Sequence, residues 1–272
     1  MRLTPEAITA FQDQVLAYYH ARGRHDLPWR RPEPDGSFDS YKILVSELML
    51  QQTQVSRVVP KYTEFLRRFP SAGVLAAAPL GEVLRAWSGL GYNRRAKYLW
   101  QAARYLVDHH GGVVPDSNTE LVKLPGVGKN TAGSILAYAY DRPVVFVETN
   151  IRTAYIHHFF GDRTDITDAE ILVAVEATLL RDDPRVWYWA LMDYGAHLKQ
   201  TIGNLNKLSK TYTRQSAFAG SRRQLRGKIL RTLGAGPAAA GELKIEDERL
   251  PAVLDELSTE GLIRLQNGRY TL

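Results

Sequence analysis

Helical periodicity runs almost unbroken from residue 4 to residue 198, and it excludes most folds at once. Ile8, Phe11, Val15, Leu16 and Tyr19 recur at the spacing of one helix face, and Thr4-Pro5 supplies a cap and a first-turn residue. Leu27-Pro28-Trp29 breaks that helix. Further helices are expected over 40–50, 55–69 (with Pro60 near its start), 75–87, 94–109, 118–123, 129–140, 150–160, 168–180 and 186–198. Gly89-Leu90-Gly91, Gly111-Gly112 and Gly126-Val127-Gly128 punctuate the series. A short apolar run, Val144-Val145-Phe146-Val147, ends at Glu148. No alternating strand pattern of useful length precedes residue 260, so the main body is expected to be all-α.

The last 50 or so residues differ. Residues 222–233 and 250–260 read as helices, with a Gly/Ala/Pro-rich turn over 234–241. Residues 262–265 and 269–272 flank Asn267-Gly268, a pair suited to a type I′ hairpin turn. Helices followed by a terminal hairpin suggest a small winged-helix-like module.

Cysteine is absent, which rules out disulfides, a thiol nucleophile and any Cys-ligated zinc or iron–sulfur site. No metal site is expected. No stretch approaches the roughly 18 apolar residues of a membrane helix, and the N-terminus has no signal-peptide core. The expected location is cytoplasmic, nucleoid-associated in a bacterium or archaeon, and the expected state is a monomer.

The formal charge of +6 is unevenly placed. No acidic residue lies between Asp193 and Glu242, whereas Lys199, Lys207, Lys210, Arg214, Arg222, Arg223, Arg226, Lys228 and Arg231 do. The remaining 26 basic residues face 29 acidic ones, so the rest of the chain is net −3. One segment makes the chain basic. It reads either as a solvated linker or as a surface for a polyanion. Tyr212 and Phe218, among these charges, suit base stacking or, as the favoured reading, local packing.

Leu124-Pro125-Gly126-Val127-Gly128-Lys129 joins two expected helices. Its glycines permit a tight turn with exposed backbone, and the helix that follows aims its free N–H groups at the turn. Lys129 adds a charge. Between short helices in a basic all-α chain, this arrangement matches the helix-hairpin-helix element of sequence-independent DNA binders. The hairpin backbone is also a candidate seat for a monovalent cation.

With that hairpin, four further strings carry a family resemblance: Leu27-Pro28-Trp29-Arg30, the run from Ser46 through Glu47, Gln51, Gln52 and Thr53 to Val55, Gly89-Leu90-Gly91-Tyr92, and the run from Ala190 through Asp193 to Ala196. Together the chain resembles the helix-hairpin-helix base-excision glycosylases, and within them the MutY-type adenine glycosylases, over roughly residues 5–198. The resemblance implies two helical lobes holding double-stranded DNA, with a mispaired base flipped into a pocket. It implies one lobe from 1–28 and 141–221, a second from 29–140 carrying hairpin 124–129, and the winged-helix-like module over 222–272.

By position, Glu47 matches the carboxyl that protonates the leaving adenine and handles water. Glu148 falls where the family has an aspartate that supports the sugar cation, and Asn150 matches a neighbouring asparagine. Leu27, Trp29, Arg30 and Asp193 fall on the base pocket. Gln52 and Tyr92 match residues inserted into the base stack. Gln51, Thr53, Gly126, Val127, Gly128, Lys129, Arg222, Arg223 and Arg226 complete the expected DNA surface. The chemistry agrees: cleaving an N-glycosidic bond builds positive charge on the sugar and negative charge on the base, and two carboxyls in different protonation states answer both. Taken alone, Glu47 is a surface charge on an amphipathic helix, and Glu148 a carboxylate favoured by a helix dipole.

The chain departs from the pattern in four ways. Glu148 is one methylene longer than the family's aspartate, a shift of about 1 Å, and misplacement on that scale costs about 10²-fold in rate. Asn130 stands where bifunctional relatives place a Schiff-base lysine, which implies a monofunctional enzyme. The four cysteines of the family's iron–sulfur cluster are missing, and the basic stretch of residues 196–231 occupies that place. The large C-terminal domain that reads 8-oxoguanine is replaced by the short module. The expected substrate is adenine opposite 8-oxoguanine or guanine. The alternatives are a thymine, uracil or damaged-base glycosylase of the same fold, or a non-catalytic binder of damaged or abasic DNA.

Overall fold

The computed structural model describes residues 3–161 and 163–272. Thirteen α-helices and one hairpin are found among them. They are α1 (Pro5–Arg22), α2 (Ser40–Leu50), α3 (Val55–Arg68), α4 (Ala72–Ala77), α5 (Leu80–Trp87), α6 (Arg94–His110), α7 (Asn118–Leu121), α8 (Lys129–Tyr140), α9 (Thr149–Tyr155), α10 (Asp168–Thr178), α11 (Pro184–Thr201), α12 (Arg222–Ala235) and α13 (Leu250–Thr259), then β1 (Arg264–Gln266) and β2 (Arg269–Thr271). The all-α expectation holds for the main body.

Two expected helices are corrected. Residues 75–87 do not form one helix: Ala78 ends α4 in an extended conformation and Pro79 precedes α5. A proline disfavours helical backbone at the residue before it, which accounts for the break at Ala78. Residues 150–160 are α9 followed by a wider π-type turn at Ile156–Phe160.

The chain forms two compact units. The first comprises residues 1–43, 116–122 and 127–214. Its centre is α11, which packs on α9, α1 and α8. Trp187, Tyr188, Ala190 and Leu191 of α11 are fully buried. Run 144–147 forms no strand. It is an extended arm whose Phe146 stacks on Tyr188 with ring centroids 4.2 Å apart, while the Tyr188 hydroxyl donates to the Val144 carbonyl at 2.6 Å. Phe146 also lies on α8 at Gly133, where a Cβ would come within 2.8 Å of it. The arm is thus fixed on two helices, and it delivers Glu148 to the start of α9.

The second unit comprises residues 44–115, 123–126 and 215–272. α4, α5 and α6 pack together, and α12 lies on both α5 and α13. Leu225, Ile229, Leu233, Val253, Leu254, Leu257, Leu262 and Ile263 form a small core at the C-terminal end. The hairpin pairs Arg264 with Thr271, Leu265 with Tyr270 and Gln266 with Arg269. Asn267 and Gly268 both have positive φ, 51° and 75°, as a type I′ turn demands. Ala238 forms an isolated antiparallel bridge to the hairpin by exchanging two hydrogen bonds with Tyr270. Among the described residues no helix is long and apolar enough to cross a membrane.

Candidate active site

In the first unit, Asp193 on α11 is the hub. Its side chain is 2% exposed. Arg30 grips it with two nearly parallel bonds, Nη1 to Oδ2 at 2.8 Å and Nη2 to Oδ1 at 2.9 Å. Arg24 adds its backbone N–H to Oδ2 and its Nε to Oδ1, both at 2.7 Å, and an Nη2 ion pair. Burial by itself pushes this carboxyl up, but the hydrogen bonds and charge of Arg30, then those of Arg24, outweigh it and hold the carboxyl below its usual range. The Arg30 guanidinium also lies near two aromatic rings, 5.4 Å from the centroid of Trp189 and 5.9 Å from that of Tyr19. Leu27 caps the short helical turn Pro28–Arg30, which buries Trp29 and aims Arg30 inward. The structure therefore joins Arg30 and Asp193 to each other, and both oxygens of Asp193 are already occupied. Arg24, absent from the sequence expectations, is the third member. Nothing in its local sequence sets it apart from the neighbouring surface arginines.

Glu148 is the N-cap of α9, and its Oε2 accepts from the Asn150 N–H at 2.9 Å. The capping reading of this residue is thus correct, and it does not compete with a chemical role. Burial pushes the Glu148 carboxyl up, against the Asn150 hydrogen bond and the charges of Arg152, Lys199 and Arg24. Gly195 on α11 meets α9 at this point: a Cβ there would collide with the Asn150 carbonyl. A Gly195→Ala variant is accordingly expected to push α9 from α11 and to lose about 1–3 kcal/mol, the usual range for overpacking. Its unfolding midpoint in urea should fall, and a midpoint unchanged from the parent would contradict this packing.

The segment after α11 lies where the resemblance puts the cluster. Asn206 is buried and donates to the Thr153 hydroxyl of α9 at 2.9 Å. Residues 208–210 run beside Ile166 as a parallel bridge, with bonds of 3.1 and 2.9 Å. Arg152 is held by both oxygens of Asp168 at 2.8 and 2.9 Å. Ordinary hydrogen bonds fasten this segment.

In the second unit, Glu47 is the one carboxylate in α2. It is half-buried, whereas Val45, Ser46, Leu48 and Met49 around it are buried. Beyond α2, Gln51, Gln52 and Thr53 form a turn. Gln51 Nε2 donates to the Gly126 carbonyl of the hairpin at 3.2 Å. Gly126 needs its missing side chain: its φ is +82°, and a Cβ would lie 2.9 Å from Tyr98. Gln52 and Tyr92 are both exposed and both have positive φ, 54° and 47°. Left-handed backbone in a non-glycine residue is a strained state that collects at functional sites.

Arg95 on α6 fastens this turn, and sequence reasoning overlooked it. Buried to 7% exposure, it donates to the carbonyls of Leu48, Met49 and Gly91 at 2.7, 2.9 and 3.1 Å and to Thr53 Oγ1 at 2.9 Å. The carbonyls at the end of α2 have no helical partners of their own, so a cation there is favourable. Burial pulls the Arg95 guanidinium down to about 10. In the sequence it is hidden among Arg94 and Lys97, and only its burial marks it.

The hairpin opens α8 without a side-chain cap at Gly128. Val127 is buried, and Gly128, Lys129 and Asn130 are exposed. The Gly126 and Gly128 carbonyls already accept bonds, from Gln51 and from the Ala132 N–H. In the basic stretch, Arg222 is paired with Glu256, and Arg226 with Glu256 and Glu260. Acidic residues of α13 and its C-cap therefore answer part of the charge counted from the sequence. Tyr212 and Phe218 are 37% and 60% exposed, which corrects the local-packing reading. Among the described residues no cluster of His, Asp or Glu is placed to hold a metal ion.

Residues 45–176 match the family model of the HhH-GPD superfamily base excision DNA repair protein. An adenine DNA glycosylase of Mycolicibacterium smegmatis is 36% identical across 95% of this chain and 94% of its own length. The chain belongs to the adenine DNA glycosylase family. A second family relative, an adenine DNA glycosylase of Mycobacterium tuberculosis, is 33% identical over 95% of the chain and 92% of its own. Among solved structures, that of a thermostable thymine-DNA glycosylase superposes with a TM-score of 0.65 at 25% identity, covering 72% of this chain and 88% of that one. The fold is accordingly that of the helix-hairpin-helix glycosylases. With no cysteine in its sequence, this family member has no thiolate with which to ligate an iron–sulfur cluster.

Proposed function

We propose that the chain is a monofunctional DNA glycosylase that hydrolyses the N-glycosidic bond of adenine mispaired with 8-oxoguanine or guanine. The observation that carries this is the match to adenine DNA glycosylases over nearly the whole of both chains. Glu47 gives its proton to the departing base and then activates water. Glu148, ionised, faces the sugar as positive charge develops. The Asn150 N–H and the charges of Arg152, Lys199 and Arg24 favour its ionised form against the burial that opposes it, and once ionised a poorly hydrated carboxylate gains more from a nearby cation than a hydrated one does. Asn150 and Gly195 set the Glu148 cap geometry. Leu27, Trp29 and the Arg30–Asp193 pair form the wall against which the base is placed. The uncapped start of α8 and Lys129 hold a phosphate, and Gln52 and Tyr92 enter the stack. Residues 222–272 act as a winged-helix-like module. Asn130, exposed in the first turn of α8, offers no amine for a Schiff base, so the strand is left intact.

The test uses duplexes bearing A·8-oxoG, A·G, T·G and U·G, with and without alkali. The two adenine duplexes should give product, and only after alkali. Strand cleavage without alkali would overturn the monofunctional assignment. Excision from T·G instead would move the substrate to thymine, the base named for the similar solved structure. No product, with tight binding to abasic DNA, would make the chain a binder.

A further inference from the structure

Gln52 and Tyr92 are held from a distant part of the chain as well as by Arg95. Gln215 Nε2 donates to Gln52 Oε1 at 3.0 Å. Arg223 Nη1 donates to the Tyr92 hydroxyl at 2.6 Å, and the guanidinium carbon lies 5.7 Å from the centre of that ring. The same guanidinium donates to Gln215 Oε1 at 3.3 Å and to the Ser216 carbonyl at 2.6 Å. One side chain of α12 therefore ties Tyr92 to Gln215, and Gln215 ties that pair to Gln52. The four residues form one continuous hydrogen-bonded chain on the surface of the second unit.

Arg223 differs from its neighbours. Arg222 and Arg226 meet carboxylates, whereas the partners recorded for Arg223 are a phenol, an amide and a carbonyl, all neutral. A guanidinium offers several N–H donors in one rigid fork, and here the fork is used to orient neutral groups. An ammonium at this position keeps the charge and loses the fork.

We propose that Gln215 and Arg223 are positioning residues that set Gln52 and Tyr92 in advance as one two-pronged wedge for the base stack. The inference rests on the reading of those two residues as the ones inserted into DNA. Pre-set side chains lose less freedom on binding, so the contribution falls on the unstacking step rather than on general affinity. It also gives the segment that follows residue 214 a task beyond carrying charge.

The full chain in a Glu47→Gln background, which leaves the base in place, is mixed with a duplex carrying 2-aminopurine beside the A·8-oxoG pair. The fluorescence gain reads unstacking. Affinity for undamaged duplex, and its salt dependence, reads charge. Arg223→Lys and Gln215→Ala should each cut the fluorescence gain several-fold while the Arg223→Lys salt slope stays that of the parent. With Glu47 restored, single-turnover excision should slow by about 10-fold, the scale of a modest loss of orientation. Tyr92→Phe, which removes the acceptor, should show the same defect, and the double variant with Arg223→Lys should be no worse than either single. Full retention of the fluorescence gain by Arg223→Lys would reduce Arg223 to a charge facing a phosphate and overturn the proposal. A parallel fall in thermal midpoint, undamaged-duplex binding and fluorescence would make it a folding residue and overturn it too. If Gln52→Ala and Tyr92→Ala leave the fluorescence unchanged, the insertion reading itself fails and takes the proposal with it. A defect in those two but not in Gln215→Ala or Arg223→Lys rejects the proposal alone.

Discussion

Glu47→Gln is expected to abolish excision while leaving affinity for the A·8-oxoG duplex intact. The substitution removes the only carboxyl of α2 and alters its shape little. General acid–base groups typically contribute about 10²–10⁴ in rate, and Glu47 is asked to serve twice, at the departing base and at water, so the loss should lie at the upper end. Single-turnover excision measured beside equilibrium binding separates the two effects. A loss confined to the chemical step is the signature of an interaction made only in the transition state. Excision within a few-fold of the parent would leave the chemistry to Glu148 and remove the basis of the assignment.

Asp193→Asn is expected to cost the fold about 3–5 kcal/mol, the usual result of removing one partner from a buried ion pair. Arg30 has a side chain only 4% exposed, so its charge would be left buried without a carboxylate partner. The amide preserves volume but answers neither Arg30 nor Arg24 with charge. The pH dependence follows with a definite sign. The folded Asp193 carboxyl titrates below its ordinary value of 3.8, so its contribution is complete above that pH and disappears as the pH falls through the folded value. Urea unfolding followed through tryptophan fluorescence should show the parent losing this contribution on acidification, whereas the variant has none to lose. Equal stabilities near neutral pH would show that the pair is not what holds Arg30 in place.

Local pattern made much of the fold legible. α2 and α8 begin and end where periodicity places them, because each carries its apolar residues through to a definite break. The hairpin turn was readable from Asn267-Gly268 because few other pairs tolerate two positive φ angles. The break at Ala78 was missed because Leu75 through Ala78 on one side and Leu80, Val83 and Leu84 on the other keep the apolar helical pattern running across Pro79. The candidate site divides along the same line. Residues on recognisable strings were found, whereas Arg24, Arg95, Gln215 and Asn206 were not. Each of these four acts through a partner distant in sequence: Asp193, Leu48, Gln52 and Thr153 respectively. A side chain whose meaning lies in a long-range hydrogen bond leaves no periodic trace. Charge counting was incomplete for the same reason, since Glu256 and Glu260, which pair with Arg222 and Arg226, lie outside the basic stretch.

The Asn206 anchor changes what this fold depends on. A cluster-bearing domain is coupled by mass action to a supply of iron and sulfide, and its folded population rises and falls with them. Here the span after α11 is fastened by an amide, a hydroxyl and a backbone bridge, all of which arrive with the chain itself. The fastening of this span then calls on no iron or sulfide. In a repair enzyme built this way, neither iron starvation nor oxidation of a cluster can unfasten that span.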